Sequence, residues 1–411
     1  MKISGIILVL ILILGKTGYS QTTYLYQVGI KDSLYSATLQ EERVIWVQLP
    51  DNYTPESKVR YPVIYVLDGA EHLKAVSTVL SYYWGGFMPE MVIVGISNRA
   101  HRSRDLTPSQ TGTLHGMAYN QESGGAENFT TFMAKELIPY IESRYPVTGY
   151  RTLIGHSLGG LFTIHILVNH TELFDNFIAI DPSLDWDNQK LLKRSEEALS
   201  TRSFKGKSLF MSLGGQLHLQ NSDITIDNVM QDSSEYSLFA RSNIEFSNSV
   251  HKNPQNDLNF QWKFYKNDIH GTLSLPSVMD GLLSLFSWYP IEHTDRFNSP
   301  DTPEDELVQI IRSREKKLKE HFGYFVPPFE EDLLTMLGYM NMDWGNLQKS
   351  LAFFQLAVEY FPESAIACNS LADYYIAHGD LENALENVTR AFELSGEDIY
   401  KKRMEKLKGQ I

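Results

Sequence analysis

The sequence predicts an α/β fold: a mostly parallel central sheet flanked by helices, followed by a small all-α helical-repeat segment at the C-terminal end. Three observations carry this expectation. Up to about residue 290, short β-type runs alternate with amphipathic helical patterns, as in sheets covered on both sides. Several runs, "PVIYVL" and "MVIVGI" among them, are apolar almost without interruption, which suits strands buried on both faces. Beyond that point the chain repeats itself at a fixed offset. At 411 residues it also exceeds one ordinary compact core, so a main domain with something smaller attached is expected.

At the N-terminus, Met1 and Lys2 precede an unbroken apolar run of nine residues, Ile6 to Leu14, and Gly18-Tyr19-Ser20 places small residues where a signal peptidase cuts. The run is shorter than the roughly 18 apolar residues a membrane span needs. An export signal over residues 1–20 is expected, with a mature chain starting near Gln21, no membrane span after cleavage, and a periplasmic or secreted location. The single cysteine, Cys368, rules out an intrachain disulfide, so the fold must hold by its core. Cys368 lies in an apolar helical pattern and reads as a small buried hydrophobe. Asn128-Phe129-Thr130 and Asn387-Val388-Thr389 match a glycosylation triplet but fall in helical patterns, and read as chance.

The main domain is expected over residues 21–290. Its strands are placed at Val44 to Leu49, Tyr61 to Leu67, Met91 to Ile96, Arg151 to Ile154, Phe177 to Ile180, Ser208 to Leu213 and Phe260 to Tyr265. An early strand at Tyr24 to Val28 joins Val44 to Leu49 without an intervening helix, which predicts an antiparallel edge. Helices fall at Glu71 to Tyr83, Asn128 to Arg144, Leu158 to Val168, about Asn188 to Leu199, Tyr236 to Val250 and Pro276 to Tyr289.

A proline- and charge-rich stretch, "PIEHTDRFNSPDTP", marks a linker over residues 291–303. A helical segment over residues 304–411 follows, opening with a helix from Glu304 to Lys319 and closing with one from Asp398 to Lys408. Within it Leu337 aligns with Leu371, Gly338 with Ala372, Gly345 with Gly379, Leu351 with Leu385, Phe354 with Val388 and Ala357 with Ala391, always 34 residues apart. That period, with small residues where helices approach and glycine at the turn, predicts two tetratricopeptide-like repeats, about 331–364 and 365–398. Two repeats fall short of the roughly three a free-standing stack needs, so they are expected to lean on neighbouring helices or on the main domain.

The charge balance is acidic, 36 Lys and Arg against 50 Asp and Glu, with no basic stripe interleaved with aromatics. Nucleic acid is therefore excluded as an expected partner.

Chemistry enters at "RTLIGHSLGG". Gly155-His156-Ser157-Leu158-Gly159 fits G-x-S-x-G, and it follows an apolar strand and opens an apolar helix, the context of a nucleophile elbow in an α/β-hydrolase sheet. Glycines are needed because the turn is strained and flanking side chains would collide with neighbouring elements. Ser157 is thus the candidate nucleophile, and it needs a base. Among twelve histidines, His270 sits in a loop after the last strand and before a helix, the place for the base. His156 reads as packing or substrate-lining, His165 as a core or helix-face residue, and His251, which precedes the last strand, as a weak rival.

The oxyanion needs two fixed donors. The backbone N–H of Leu158 supplies one, and the loop after "PVIYVLDG" supplies the other through Ala70, with Gly69 as alternative. Asp68 either shapes that loop or caps the following helix. The acid is open. After the strand Ser208 to Leu213 the chain reads Gly214-Gly215-Gln216-Leu217-His218, with no carboxylate where one is usual. Asp181, Asp223, Asp227 and Asp232 are the candidates, and a Ser–His dyad without an acid is the alternative.

From about residue 24 to residue 289 the chain resembles the esterase family of α/β-hydrolases that includes esterase D, the enterochelin and salmochelin trilactone esterases and feruloyl esterase domains. The resemblance rests on "YPVIYVLDG", "VGISNRAHRSRDLTPS", "GGAENFTTFMAKELIPYIESRYPV", "RTLIGHSLGGLFTIHIL", "AIDPSLDWDN" and "DIHGTLSLPSVMDGL". It implies that Ser157 is nucleophile and His270 general base. The periplasmic trilactone esterases work with a dyad, which fits Gln216 standing where an acid is usual. The segment Arg102 to Asp105 and the Trp186 loop fall where such enzymes border the pocket. The helical tail departs from the siderophore enzymes, so their substrate is not carried over.

The sequence therefore predicts an exported serine hydrolase acting on carboxylic esters through a covalent acyl-enzyme. Siderophore-trilactone or carbohydrate esters, small molecule or glycan, are the substrate classes, and no metal or organic cofactor is implied. The alternatives are acyl transfer to a sugar acceptor and an inactive hydrolase-like scaffold that binds a protein partner through its repeats.

Overall fold

The computed structural model describes residues 28–411 apart from residues 52, 56–58, 115 and 116. The expected export signal and all of the early strand except Val28 lie outside the described residues. Strands β1 (Ile30–Ser36) and β2 (Glu41–Gln48) form an antiparallel hairpin, with the first strand later in sequence than expected. β3 (Tyr61–Val66), helix α1 (Gly69–Tyr83) and β4 (Val92–Ile96) follow, then α2 (Arg102–Leu106) and a small hairpin of β5 (Thr113–Leu114) and β6 (Met117–Ala118). Next come α3 (Ala126–Phe132) and α4 (Ile138–Arg144), joined without a break by a π-helical turn over Met133–Leu137. The sequence pattern reads this as one helix. Pro139, which has no N–H to give to the carbonyl four residues back, accompanies the wider turn.

β7 (Val147–His156), α5 (Leu158–Asn169), β8 (Asn176–Ile180), α6 (Trp186–Thr201), β9 (Ser208–Gly214), α7 (Leu238–Lys252), β10 (Asn259–Tyr265) and α8 (Ser274–Leu285) complete the α/β part. The sheet runs β1-β2-β4-β3-β7-β8-β9-β10. β4 to β10 in that order are parallel, and β2 meets β4 antiparallel. Alternate residues divide between the two faces. Val63 and Tyr65 pack with α3, α4, α5, α6 and α7. Ile64 and Val66 pack with α1 and α8.

The stretch expected as a linker contains a short helix, α9 (Thr294–Asn298). Helix α10 (Glu304–Phe322) is then longer than its sequence pattern by one turn, and that turn matters. Leu318 and Phe322 are buried in the sheet's α1–α8 face beside Tyr150 and Phe286. His321 stacks flat on Trp288 at 3.9 Å. Arg314, itself buried, donates from Nε to the Pro328 carbonyl and from a terminal nitrogen to that of Tyr289, both at 2.7 Å. Burial holds its pKa below the usual guanidinium range, with Tyr289 and Glu292 acting in the opposite direction.

The tail continues as α11 (Glu331–Asp343), α12 (Leu347–Tyr360), α13 (Ala365–Ala377), α14 (Leu381–Ser395) and α15 (Asp398–Lys408). Two antiparallel hairpins repeat at the 34-residue offset read from the sequence. Gly345 and Gly379 occupy equivalent turns with φ of 75° and 73°. In the first hairpin Gly338 lies so close to the Phe354 ring that a Cβ there would come within 2.5 Å of it. Cys368 is buried and free.

Candidate active site

Ser157 stands between the end of β7 and the first turn of α5, with φ 61° and ψ −116°, a backbone conformation that a non-glycine residue adopts only at a cost. The surrounding glycines permit it. A Cβ on Gly155 would lie 2.2 Å from the Gly159 carbonyl oxygen, and one on Gly160 would lie 2.9 Å from Pro182 Cα. The turn is fastened by the Ser157 N–H donating to the Ile180 carbonyl and the Ser183 N–H donating to the Ser157 carbonyl. The hydroxyl of Ser157 has Ser183 Oγ as its neighbour at 3.4 Å.

His270 lies in the loop between β10 and α8, and its Nδ1 stands 2.6 Å from Asp181 Oδ2. Asp181 follows β8 directly, is buried, and accepts the Gly214 N–H on its other oxygen at 3.0 Å. Of the four acids the sequence leaves open, the structure brings this one to His270. The glycine pair at the end of β9 explains where the expected acid went. Gly214 gives its N–H to the carboxylate arriving from β8, and a Cβ on Gly215 would lie 2.1 Å from the Lys266 carbonyl oxygen. A side chain would block the loop that carries His270. Asp232 instead bonds Ser234 and Ser237 and sits 3.7 Å from His218, and Asp223 and Asp227 are exposed in the same connection.

Ala70 is the second residue of α1 and Leu158 the first of α5. Neither N–H is spent on a backbone carbonyl among the described residues, as befits first-turn amides. Gly69 cannot carry a side chain, because a Cβ would lie 2.6 Å from the Gly95 backbone. Asp68, left-handed at φ 49°, makes no side-chain capping bond to α1, although its carbonyl accepts the N–H groups of Glu71 and His72. It pairs with Arg102, whose Nε stands 3.0 Å from its Oδ2, and its own N–H donates to Asn98 Oδ1. Burial raises the Asp68 pKa, and the Arg102 guanidinium opposes that rise. Arg102 also donates to the His156 carbonyl at 3.1 Å.

His156 packs between His72 and His270, with ring centroids 5.4 Å and 4.5 Å away. Burial, then the neighbouring His270, push its pKa down to about 3, so the ring is neutral. Its Nε2–H donates to the His270 carbonyl at 2.9 Å, a role the sequence does not reveal. His251 bonds the Ser247 carbonyl on its own helix, away from the nucleophile.

Ser157, Leu158, Asp181, Ser183 and His270 line one cavity of about 400 Å³. Its walls are mostly apolar and aromatic: Leu114, Tyr119, Trp186, Leu217, Tyr236 and Phe239, with Arg102, Asp185 and Glu235 as charged groups besides Asp181. Trp186 is buried and fixed, its Nε1–H donating to the Ser109 carbonyl. The residues after it, Asp187, Asn188 and Gln189, are all left-handed, with φ of 49°, 54° and 63°, a break that no glycine in the sequence announces. The segments Arg102 to Asp105 and Trp186, expected at the pocket border, contribute Arg102 and Trp186 to it.

Residues 36–233 match the family described as "Putative esterase". The ferri-bacillibactin esterase of Bacillus subtilis is 32% identical over 177 residues, which cover 39% of this chain and 61% of that protein. The chain thus spans less than two thirds of this curated relative. Among solved structures, an IroE-like serine hydrolase from Shewanella oneidensis superposes with a TM-score of 0.65 at 29% identity, over 81% of this chain and 99% of that one. An uncharacterised protein from Capnocytophaga ochracea, 18% identical, shares the fold at a TM-score of 0.58 over 92% of this chain and 99% of its own. With a strained serine elbow and a buried acid on the last-loop histidine, the α/β part of the chain is similar to that esterase family, whose model it matches over residues 36–233.

Proposed function

We propose that the protein is an exported serine hydrolase that cleaves carboxylic esters. The observation that carries this reading is the alignment on one cavity of a strained Ser157 and a His270 whose ring is oriented by Asp181. His270 takes the Ser157 proton as the hydroxyl attacks the ester carbonyl. The hydrogen bond between them forms as substrate enters, with Ser157 turning from Ser183. The amides of Leu158 and Ala70 stabilise the oxyanion, His270 returns its proton to the leaving alcohol, and water releases the acyl group by the same route. Asp181 holds the imidazole with Nδ1 protonated and Nε2 free to accept.

The apolar and aromatic walls favour an ester with an aromatic acyl group. The Bacillus subtilis relative acts, by its name, on ferri-bacillibactin, and two fungal relatives are named siderophore esterases, which makes siderophore-type esters the first class to test. The N-terminal apolar run supports action outside the cytoplasm. A fluorophosphonate probe checks the chemistry: it labels the protein, and Ser157→Ala abolishes labelling. Labelling that survives the substitution rejects the nucleophile. A panel of aryl esters, acetylated sugars and trilactones then ranks substrates by kcat/KM, and preference for acetylated sugars rejects the siderophore-type reading.

A further inference from the structure

On the far half of α5 from the nucleophile, three ligand-type side chains that the ester chemistry does not use meet. Glu127 of α3, His165 of α5 and His170 at its C-cap bring one carboxylate and two ring nitrogens within 4.8 Å of one another. Nε2 of His165 stands 3.4 Å from Glu127 Oε1, and Nε2 of His170 stands 2.9 Å from Oε2 of the same carboxylate.

A hydrogen bond between Glu127 and His170 accounts for only part of this arrangement. The His165 side chain is 3% exposed, yet its Nε2 makes no hydrogen bond. Its Nδ1 faces the Asn169 side-chain amide at 3.0 Å, and Asn169 Oδ1 is a second buried atom without a partner. An ion on Nε2 gives that nitrogen a partner and leaves the imidazole proton on Nδ1, where a half-turn of the Asn169 amide presents Oδ1 to accept it; the turn gives up the bond from Asn169 Nδ2 to the His165 carbonyl. A ring N–H fixed by an oxygen acceptor is the usual support of a metal-bound histidine.

We propose that Glu127, His165 and His170 form a binding site for a divalent transition-metal ion of the zinc type. A tetrahedral ion about 2.0–2.1 Å from N and O donors holds those donors roughly 3.4 Å apart, so the present spacings need only small side-chain movements. Two imidazoles and one carboxylate suit zinc, and also copper or nickel, rather than calcium or magnesium, which take oxygen cages. The Glu127 side is exposed and leaves a fourth position to water. His165 lies eight residues along α5 from Ser157, about 12 Å along the axis, so the ion is not part of the ester chemistry. It clamps the end of the nucleophile helix to α3.

The test uses the full chain, stripped with chelator and titrated with Zn²⁺, and in parallel with Co²⁺. One equivalent of Zn²⁺ is expected to bind at micromolar concentration and to raise the unfolding midpoint by about 3 °C or more. Co²⁺ is expected to give the intense visible bands of four-coordinate geometry. The exposed-side variants Glu127→Gln and His170→Asn, which leave the buried His165 in place, abolish both signals while retaining fluorophosphonate labelling. Absence of stoichiometric binding to the wild type overturns the proposal. So does binding that survives in both variants, because the ion is then held by others of the twelve histidines.

Discussion

His270 Nδ1 and the Asp181 carboxylate stand 2.6 Å apart, joining the loop after β10 to the end of β8 two strands away. The pair fixes the His270 ring at the cavity that Ser157 also lines, and it carries the first prediction. Asp181→Asn keeps the shape but favours the wrong imidazole tautomer. It is expected to lower kcat by roughly 10²- to 10⁴-fold with KM little changed. Asp232→Asn, whose carboxylate serves its own loop, leaves kcat within about twofold. Full turnover in Asp181→Asn means that the dyad suffices and that the acid is structural.

The elbow glycines predict a folding defect rather than a chemical one. Gly155→Ala forces a methyl into the Gly159 carbonyl at 2.2 Å, and backbone cannot retreat as a side-chain tip can. A loss of about 1–3 kcal/mol is expected, as for other overpacked sites, measured by denaturant unfolding. An unchanged midpoint contradicts the close packing of β7 on α5.

Stability should also fall on the acid side of neutrality. His156 is held neutral with a pKa near 3, against 6.5 when unfolded, so below 6.5 the unfolded chain binds a proton that the folded one refuses. The folded state therefore loses up to about 1.4 kcal/mol per pH unit between 6.5 and 3 from this group. Burial shifts His72 and His165 in the same direction, so the comparison of wild type with His156→Gln isolates the contribution of His156. The variant is expected to show a shallower decline of unfolding free energy from pH 6.5 to 4.5. Parallel curves contradict the assignment.

Truncation tests where the α/β part ends. A chain stopped at residue 290 loses Leu318 and Phe322 from the face of Tyr150 and Phe286, two side chains worth about 1.5–3 kcal/mol each when buried. It is expected to aggregate or to melt well below the full chain. One stopped at residue 330 keeps α10 and the Arg314 bonds to Tyr289 and Pro328, and is expected to stay folded and to label with fluorophosphonate. Equal stability of the two truncations contradicts the docking role of α10.

Local signals made much of this legible. The elbow announces itself because strand, glycine turn and helix are contiguous. The repeat does so because its 34-residue offset keeps glycine at two equivalent turns. What stayed hidden is non-local. Asp181 could not be ranked above Asp223, Asp227 and Asp232, because the choice depends on which loops converge past β8 and β9. The meeting of Glu127 with His165 and His170 joins two helices separated by a strand. The left-handed run Asp187 to Gln189 carries no glycine to mark it; the fold imposes it.

The seat of Phe322 has a consequence for the order in which the molecule assembles. The sheet is complete at Tyr265, but on the face that α1 and α8 cover, the patch at Tyr150 and Phe286 stays open until the end of α10 arrives. A chain emerging from its N-terminus therefore holds a finished sheet and an unfinished core for as long as α9 and α10 are still to come. The boundary at which sequence composition changes is thus not the boundary at which folding can close. A fusion or insertion at residue 290 separates a lid from its vessel, whereas one at the exposed Ile411 leaves that closure intact.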